Sequence, residues 1–559
     1  MDVLQRLRFL VLACKSSFIP ALFLLLISGC KLETVAAPGG QVSFSLAANT
    51  SCKPTQGTQC GLYDPKQTVE VIANADTGYE FTGWEGDCKG MGFCTLAMNS
   101  NRFVRANFAK TEDLILHDTA NTTKEILEHG NLVGSCDRWA KNPAAASNYL
   151  EKMCGKWMFF YEGFNIEGVP AAVANFMVNN LPQTVGKGFS QFGMIPDPYS
   201  KTNLPLGLAP GATIAGVKTL SFACASCHFA KTPDGRFSAG LSNHDYDYGK
   251  QIIALNFISP AAMLPASLLD KQLDPLTINY MQPILDEINA NNLKGSLFAS
   301  VIPLAGLVFS GTPLPTIPKE VQRQYLSWKK GTQDFVITPV GADDQVETIS
   351  KMVTLWNLYS DEEMRAAGGP HSMLGFTGST PNLDEFLAGF VALSQGNFPT
   401  ERLKALKTYL LTLKAPSPNI PQNNTQVENG RQLFSEKGCA DCHNGPSFSS
   451  TRVFSFEEIG TDAALKRWAD PDLDGISNVP QIINEPLTHS VKAPRLVGMW
   501  AQKLFLHNGS VDSLEDLFCL NHARPTRTDE PFGDQGHTMT CENLSDEQKL
   551  NLIAYLKTL

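Results

Sequence analysis

No stretch of this sequence carries a run of basic residues, and 45 Lys+Arg stand against 55 Asp+Glu for a net charge of -10. That balance excludes the electrostatic footprint expected of a nucleic-acid binder or of a protein held on an anionic membrane surface. The sequence also lacks an apolar run of the ~20 residues that a membrane-spanning helix needs. The N-terminal run PALFLLLIS falls well short of that length. At 559 residues, 43% hydrophobic and 18% charged, the rest is ordinary globular material, long enough for about three domains.

Arg6 and Arg8 precede the apolar run, which ends in Leu26-Ile27-Ser28-Gly29-Cys30, so residues 1–29 read as a signal peptide. The small residues before Cys30 resemble the lipobox of bacterial lipoproteins. That resemblance implies a diacylated Cys30 as the first residue of the mature chain, the alternative being a plain cleaved signal with a chance cysteine. Lys31 stands where the inner-membrane retention signal of lipoproteins would place Asp. The implied location is therefore the outer membrane, facing the periplasm or the outside, with membrane contact through the anchor alone. Of fourteen cysteines, Cys14 leaves with the signal, Cys30 would carry lipid, and four belong to a pair of motifs described below. The eight that remain are Cys52, Cys60, Cys88, Cys94, Cys136, Cys154, Cys519 and Cys541. An even remainder in an exported chain suggests up to four disulfides, with sequence-local pairing the simplest arrangement.

Helical periodicity is missing between residues 35 and about 110, where QVSFSL, VEVIANA and RFVRANF are separated by Gly, Asn and Asp clusters. Residues 30–110 are thus expected as a small all-β module behind the anchor. The stretch from Gly78 to Phe108 resembles a β-rich bacterial surface repeat, which makes Trp84 and Phe108 core residues and the module a stalk or binding appendage. From about residue 111 the pattern changes to amphipathic helices such as AAVANFMVNNL, EVQRQYLSWKK and TERLKALKTYLLTL, so the expected fold class is mainly α plus the N-terminal β module. A last helix opens with Ser545 and Gln548 in capping-box spacing. An internal repeat is visible here: GFTGSTPNLDEFL (375–387) aligns with LHNGSVDSLEDLF (506–518) at constant offset, and YLLTL (409–413) answers YLKTL (555–559). Trp356 answers Trp500 with shifted spacing. The α part reads as two copies of one unit, residues 111–415 and 416–559.

Each unit holds one C-x-x-C-H: Cys224/Cys227/His228 and Cys439/Cys442/His443. Two thiols at this spacing can add to the two vinyl groups of one haem while the adjacent imidazole reaches the iron, so the expectation is two covalently bound haem c groups. The alternatives are a redox dithiol or a zinc site, and zinc would want more Cys and His nearby. The sixth ligand decides whether each iron relays electrons or does chemistry. The second unit has an insertion after Phe518 that places His537 between Cys519 and Cys541; a disulfide there would hold the loop at its base. The first unit lacks such a loop. The expectation is a second haem closed by His443 and His537, and a first haem open to dioxygen or peroxide. Met499 and Met539 are other candidates for the second iron, and His244 or His371 for the first. His507 and Arg495 suit contacts with a haem edge or propionate. His489 and His522 have nothing in their favour. Trp356 and Trp328 fall between the two attachment sites, Trp356 being the preferred electron relay; the ordinary alternative is a core tryptophan. Asp470, Asp472 and Asp474 ahead of Gly475 have the alternate carboxylates of a calcium loop, but Gln481 stands where the bidentate Glu belongs, which leaves an exposed acidic turn as the alternative.

Two C-x-x-C-H motifs about 215 residues apart, followed by KAPRLVGMWAQKLFLHNGSVDSLEDLF, resemble the dihaem cytochrome c peroxidase superfamily, and most of all its rubber-oxygenase-like branch. FGMIPDPYSKTNLPLGL before Cys224, IGTDAALKR after Cys442 and the late Gly536-His537 carry the same likeness, which spans roughly residues 150–559. It implies a substrate-facing haem at Cys224/Cys227/His228 and an electron-relay haem at Cys439/Cys442/His443 with His537 distal. The β module, the Cys136/Cys154 and Cys519/Cys541 candidates and Ala463 depart from the branch, and likeness of fold does not transfer a substrate. Three functions follow. One is a peroxide- or dioxygen-activating oxidoreductase served by a redox partner protein or small electron donor. The second is an electron-transfer lipoprotein with both irons six-coordinate, and the third a surface-binding protein whose working part is the β module.

Overall fold

The computed structural model describes most of residues 29–110 and 148–559; segments 1–28, 77–78, 90–93, 111–147, 165–168, 264–270, 301–317, 335–347, 364–373, 394–399, 419–422 and 466–489, with a few single positions, stand outside that description. The chain divides into two compact bodies, Met1–Trp157 and Met158–Leu559. Both C-x-x-C-H motifs fall in the second body, while the first expected unit, 111–415, begins in the first.

Among the described residues the first body holds eight strands: β1 (Cys30–Ala36), β2 (Gly40–Phe44), β3 (Thr50–Ser51), β4 (Gln59–Tyr63), β5 (Thr68–Ala75), β6 (Tyr79–Gly86), β7 (Cys94–Ala97) and β8 (Arg102–Lys110). They form one sheet in the order β3-β4-β1-β8-β6 and another in the order β2-β5-β7. β1 runs parallel to β8 and antiparallel to β4. Alternation does the sorting: Val69 and Val71 on β5 and Val104 and Ala106 on β8 turn into one core, their neighbours in sequence outward. Trp84 is buried there, 4.7 Å from the Phe81 ring, and Phe108 packs against the same core. The disulfides Cys52–Cys60 and Cys88–Cys94 close short loops of this body. Sequence-local pairing is what the cysteine spacing had suggested.

The second body carries more β structure than its helical periodicity suggests. In chain order its elements begin α1 (Asn148–Tyr161, which runs across the division), β9 (Val169–Pro170), α2 (Ala171–Asn180), β10 (Leu208–Ile214), β11 (Val217–Phe222), α3 (Cys224–His228), β12 (Phe229–Lys231) and β13 (Phe237–Ala239). Then come α4 (Tyr248–Met263), α5 (Pro275–Ala290), α6 (Lys319–Ser327), β14 (Thr332–Asp334), β15 (Ile349–Lys351), α7 (Leu383–Leu393), α8 (Thr400–Leu410), α9 (Asn424–Glu436) and α10 (Cys439–Cys442). It ends with β16 (Val453–Ser455), α11 (Phe456–Ile459), β17 (Ser490–Lys492), α12 (Leu514–Leu517) and α13 (Asp546–Leu556). One three-stranded sheet, β10-β11-β9, and ladders β12-β13, β14-β15 and β16-β17 lie among the helices. These three ladders are each three residues long, too short for a period-2 pattern to register in sequence. The capping box at Ser545 and Gln548 forms as expected, and α13 packs Leu552, Ile553 and Leu556 against Phe434 of α9.

The repeat holds in backbone detail. Gly378 and Gly509 share a left-handed φ of 68° and 70°, and the residues three before them, Gly375 and Leu506, are left-handed too. α7 and α12 start at aligned residues. Asn382 caps the first by accepting from Glu385 N–H at 2.9 Å, and Ser513 caps the second by accepting from Asp516 N–H at 3.0 Å. The Thr412 hydroxyl donates to Tyr409 O and the Thr558 hydroxyl to Tyr555 O, both at 2.6 Å.

Candidate functional site

On a helical turn, residues three and four apart share a face, so a C-x-x-C-H segment that turns helical sets both thiols and the imidazole side by side. Both motifs do so, in α3 and α10. All four cysteines are free thiols rather than paired within their motifs. Burial pushes the thiols of Cys224 and Cys227 up to about 12 and about 11.

The histidine of each motif is turned by a main-chain carbonyl from the segment after a ladder strand. His228 Nδ1 donates to Val353 O at 2.9 Å, two residues past the end of β15; His443 Nδ1 lies 3.1 Å from Pro494 O, two residues past the end of β17, and 3.2 Å from Phe448 O. A carbonyl only accepts, so Nδ1 carries the proton in both rings and Nε2 keeps its lone pair. That is the arrangement by which an outer partner fixes the tautomer of a metal-binding histidine. Burial holds His228 down to about 4 and lowers His443, so both rings are neutral near pH 7, the ligating form.

The two units differ on the other side. His537 stands opposite His443, with ring centroids 6.3 Å apart and planes tilted by 56°. An imidazole nitrogen bound to a metal stands about 2 Å from it and roughly 1 Å from its own ring centre, so two imidazoles flanking one metal place their centroids roughly 6 Å apart. The spacing between His443 and His537 fits one iron. Nδ1 of His537 is buried without a hydrogen-bond partner, and burial, with His443 and Arg524 nearby, holds the ring down to about 4. The disulfide Cys519–Cys541 closes the loop that carries it. Met539 is 53% exposed and Met499 is packed among Phe434, Leu496 and Phe505, where a glutamine amide of Gln502 meets its sulfur at 3.7 Å.

No second imidazole faces His228 among the described residues. His244, an expected candidate, is spent: its Nδ1 accepts from Lys503 N–H at 3.2 Å and its Nε2 donates to Met352 O at 2.9 Å. With both nitrogens engaged it has no lone pair for iron. His371, His489, the calcium candidates Asp470, Asp472 and Asp474, and Cys136 lie outside the described residues. Cys154 is in a disulfide. His522 is half-exposed beside Asp516.

Trp356 is fully buried between the units. Its Nε1 donates to Ala239 O at 2.8 Å, and a Cβ placed on Gly240 or on Gly498 would strike its ring, at 2.7 Å and 2.3 Å. Trp328 is buried elsewhere, stacked on Tyr248 with centroids 6.1 Å apart. Arg495, expected at a propionate, sends Nε to Trp356 O at 3.2 Å and Nη2 to Thr354 O at 2.8 Å, so it holds the main chain around Trp356. His507 is buried with Nε2 unpartnered and with Nδ1 3.5 Å from the Thr461 hydroxyl, which fits a ring aimed at a missing group. Cys30 opens β1 completely buried, and its sulfur is in a disulfide. A sulfur makes one such bond, so a lipid thioether at Cys30 requires that disulfide to be absent. Among the described residues no group of three or more His, Cys, Asp or Glu could hold a metal ion, and no helix is long and apolar enough to cross a membrane.

Sequence reasoning missed the carbonyls of Val353 and Pro494, although Lys351 and Lys492 at the ends of β15 and β17 mark the two segments. It also missed Arg524, for which the sequence holds no signal.

Residues 34–112 match the family model of the divergent InlB B-repeat domain, so that segment of the first body is a β-rich surface-repeat module. No curated protein matches the chain. Among solved structures, a chain of the hydrazine synthase of Kuenenia stuttgartiensis, determined under xenon pressure, aligns at 20% identity over 42% of this chain and 78% of that one, with a TM-score of 0.26. A score that low carries no argument.

Proposed function

We propose that the chain is an exported dihaem c-type cytochrome of two cytochrome units, an oxidoreductase whose first haem meets a small oxidant and whose second relays electrons. The observation that carries this reading is the asymmetry between His443, faced by His537 at 6.3 Å, and His228, faced by no imidazole among the described residues. The residues fit the group. Cys224 and Cys227 would bind the first porphyrin with His228 on its iron; Cys439 and Cys442 would bind the second, with His443 and His537 closing it. Bound there, the haems supply one-electron redox chemistry, and the open one a place for peroxide or dioxygen. The protein's part is to keep the imidazoles neutral and turned by Val353 and Pro494, and to close one iron while leaving the other accessible. Trp356, pinned between the units, is the residue suited to pass an electron. An electron donor, a partner protein or a small reductant, completes the cycle.

The InlB-repeat module suits surface or partner attachment, and lipid on Cys30 would hold the protein at the outer membrane. Radiolabelled palmitate incorporated by the parent chain but not by Cys30→Ala supports the anchor; equal labelling removes it.

The test of the central reading is the spectrum of protein made in a host competent in haem attachment. Mass equal to the chain plus two haems, one low-spin haem inert to CO and one that binds CO, is the expected result. Two CO-inert haems reduce the protein to an electron carrier. No adduct at either motif ends the reading.

A further inference from the structure

We infer that Arg524 is the positioning residue for His537, and that the neighbouring disulfide is the lesser restraint; this rests on the reading of His537 as a ligand. His537 has a backbone φ of 61°, in the left-handed region that a side-chain-bearing residue adopts only when its surroundings hold it. Something must therefore fix this peptide if the imidazole is to stay opposite His443.

The Arg524 guanidinium sits in the neck of the loop with its donors directed at both arms. On the outgoing arm, Nε donates to Asp516 O at 3.1 Å and Nη2 to Leu517 O at 2.8 Å, adding to the bonds these carbonyls at the end of α12 already accept from Cys519 N–H and the Thr540 hydroxyl. On the returning arm, Nη1 donates to Asp534 O at 2.7 Å and to Gly536 O at 3.0 Å. The carbonyl of Gly536 belongs to the peptide unit that contains the His537 nitrogen, so this bond acts on the backbone that aims the ring. Nη2 also reaches Cys541 Sγ at 3.7 Å, which places guanidinium and disulfide side by side. Thr540 completes the clasp, its hydroxyl meeting Leu517 O at 2.6 Å and His537 O at 2.9 Å.

The disulfide ties only residue 519 to residue 541 and leaves three residues of chain, Thr538 to Thr540, between itself and His537. The arginine bonds the adjacent peptide directly and spans both arms with one rigid planar group, buried at 7% exposure. A lysine has one nitrogen and cannot serve four carbonyls. The first repeat unit has no matching insertion, and so no arginine of this kind, and no imidazole faces His228 there among the described residues.

The experiment compares holoproteins: parent chain, Arg524→Gln, Arg524→Lys, and the double variant Cys519→Ser/Cys541→Ser. Each is read by optical and EPR spin state, CO stoichiometry, and recovery of the low-spin signal with added imidazole. In Arg524→Gln the second haem should become high-spin and bind CO, one more CO per chain than the parent, and imidazole should restore the low-spin spectrum. Arg524→Lys should show the same change in a fraction of molecules. The double cysteine variant should keep the parent spectrum. The inference is overturned if Arg524→Gln keeps a CO-inert low-spin second haem, or if the cysteine variant loses it to the same extent. If Arg524→Gln does not accumulate folded, Arg524→Lys decides, and parent-like inertness to CO overturns it. A parent protein without any bis-imidazole haem would instead refute the functional reading, before any variant is compared.

Discussion

The amide of Lys351 donates to the carbonyl of His507 at 2.8 Å, and the amide of Lys492 donates to the carbonyl of Phe376 at the same distance. Phe376 and His507 are aligned positions of the internal repeat, and the two lysines end the strands β15 and β17. Each unit therefore completes the other through the same bond. Two residues further along each strand segment lies the carbonyl that orients the C-x-x-C-H histidine of its own unit. In each unit the exchange between units and the orientation of the motif histidine thus share one stretch of backbone.

Trp356 is where that exchange is tightest. Gly498 has a φ of 68°, and a Cβ there would lie 2.3 Å from Trp356 Cζ3. Gly498→Ala should destabilise the second body by about 2–4 kcal/mol, since it adds both backbone strain and overpacking. Gly216→Ala, with a φ of 83° but nothing within 4 Å of the new Cβ, is the control and should cost only about 1 kcal/mol. Thermal unfolding of the two variants measures the difference, and equal costs would show that the ring contact does not matter.

Trp356→Phe removes the Nε1 donor and leaves Ala239 O without it, for a loss of about 1–3 kcal/mol. If the tryptophan carries electrons between the units, reduction of the open haem through the closed one should slow in stopped-flow traces while the resting spectrum of both haems is unchanged. An unchanged rate would leave Trp356 as core alone.

His244 joins the halves as a neutral ring, accepting from Lys503 N–H and donating to Met352 O. Burial above all, with Lys351 and Lys503 nearby and Asp245 opposing them, lowers it from 6.5 to about 4. A depressed histidine gives its stability fully above pH 6.5 and loses it as pH falls towards 4, by up to roughly 3 kcal/mol. His244→Gln can still accept and donate but does not titrate. Denaturant unfolding between pH 4 and 7 should therefore show a shallower pH slope in the variant, and identical slopes would assign the dependence to other groups.

In the first body, Glu33 accepts from the amides of Thr55, Gln56 and Gly57 at 2.9, 2.6 and 2.8 Å, from the Thr55 hydroxyl at 2.6 Å, and pairs with Lys31. Burial pushes its carboxyl up, but the lysine and the hydrogen bonds outweigh that and hold it well below the usual carboxylate range. Its contribution is present above pH 4.5 and is lost as pH falls. Glu33→Gln should speed amide hydrogen exchange in the 50–60 loop at neutral pH, and the excess over the parent should shrink in acid.

The sequence by itself determined what local chemistry can encode: the capping box at Ser545, the alternation that sorts Val69, Val71 and Val104 inward, the near-neighbour disulfides, and the thiol and imidazole spacing of both C-x-x-C-H motifs. Each depends on residues within one turn, strand or loop. It also exposed the repeat, because aligned glycines and caps impose the same backbone twice. Only the tertiary structure decided which imidazole meets which: His537 reaches His443 across 94 positions of chain, and His244, eligible by residue type, is consumed by Lys503 and Met352. Orientation of a ring depends on the carbonyl or guanidinium that happens to stand beside it, and those partners, Val353, Pro494 and Arg524, are brought there by packing that no local pattern records.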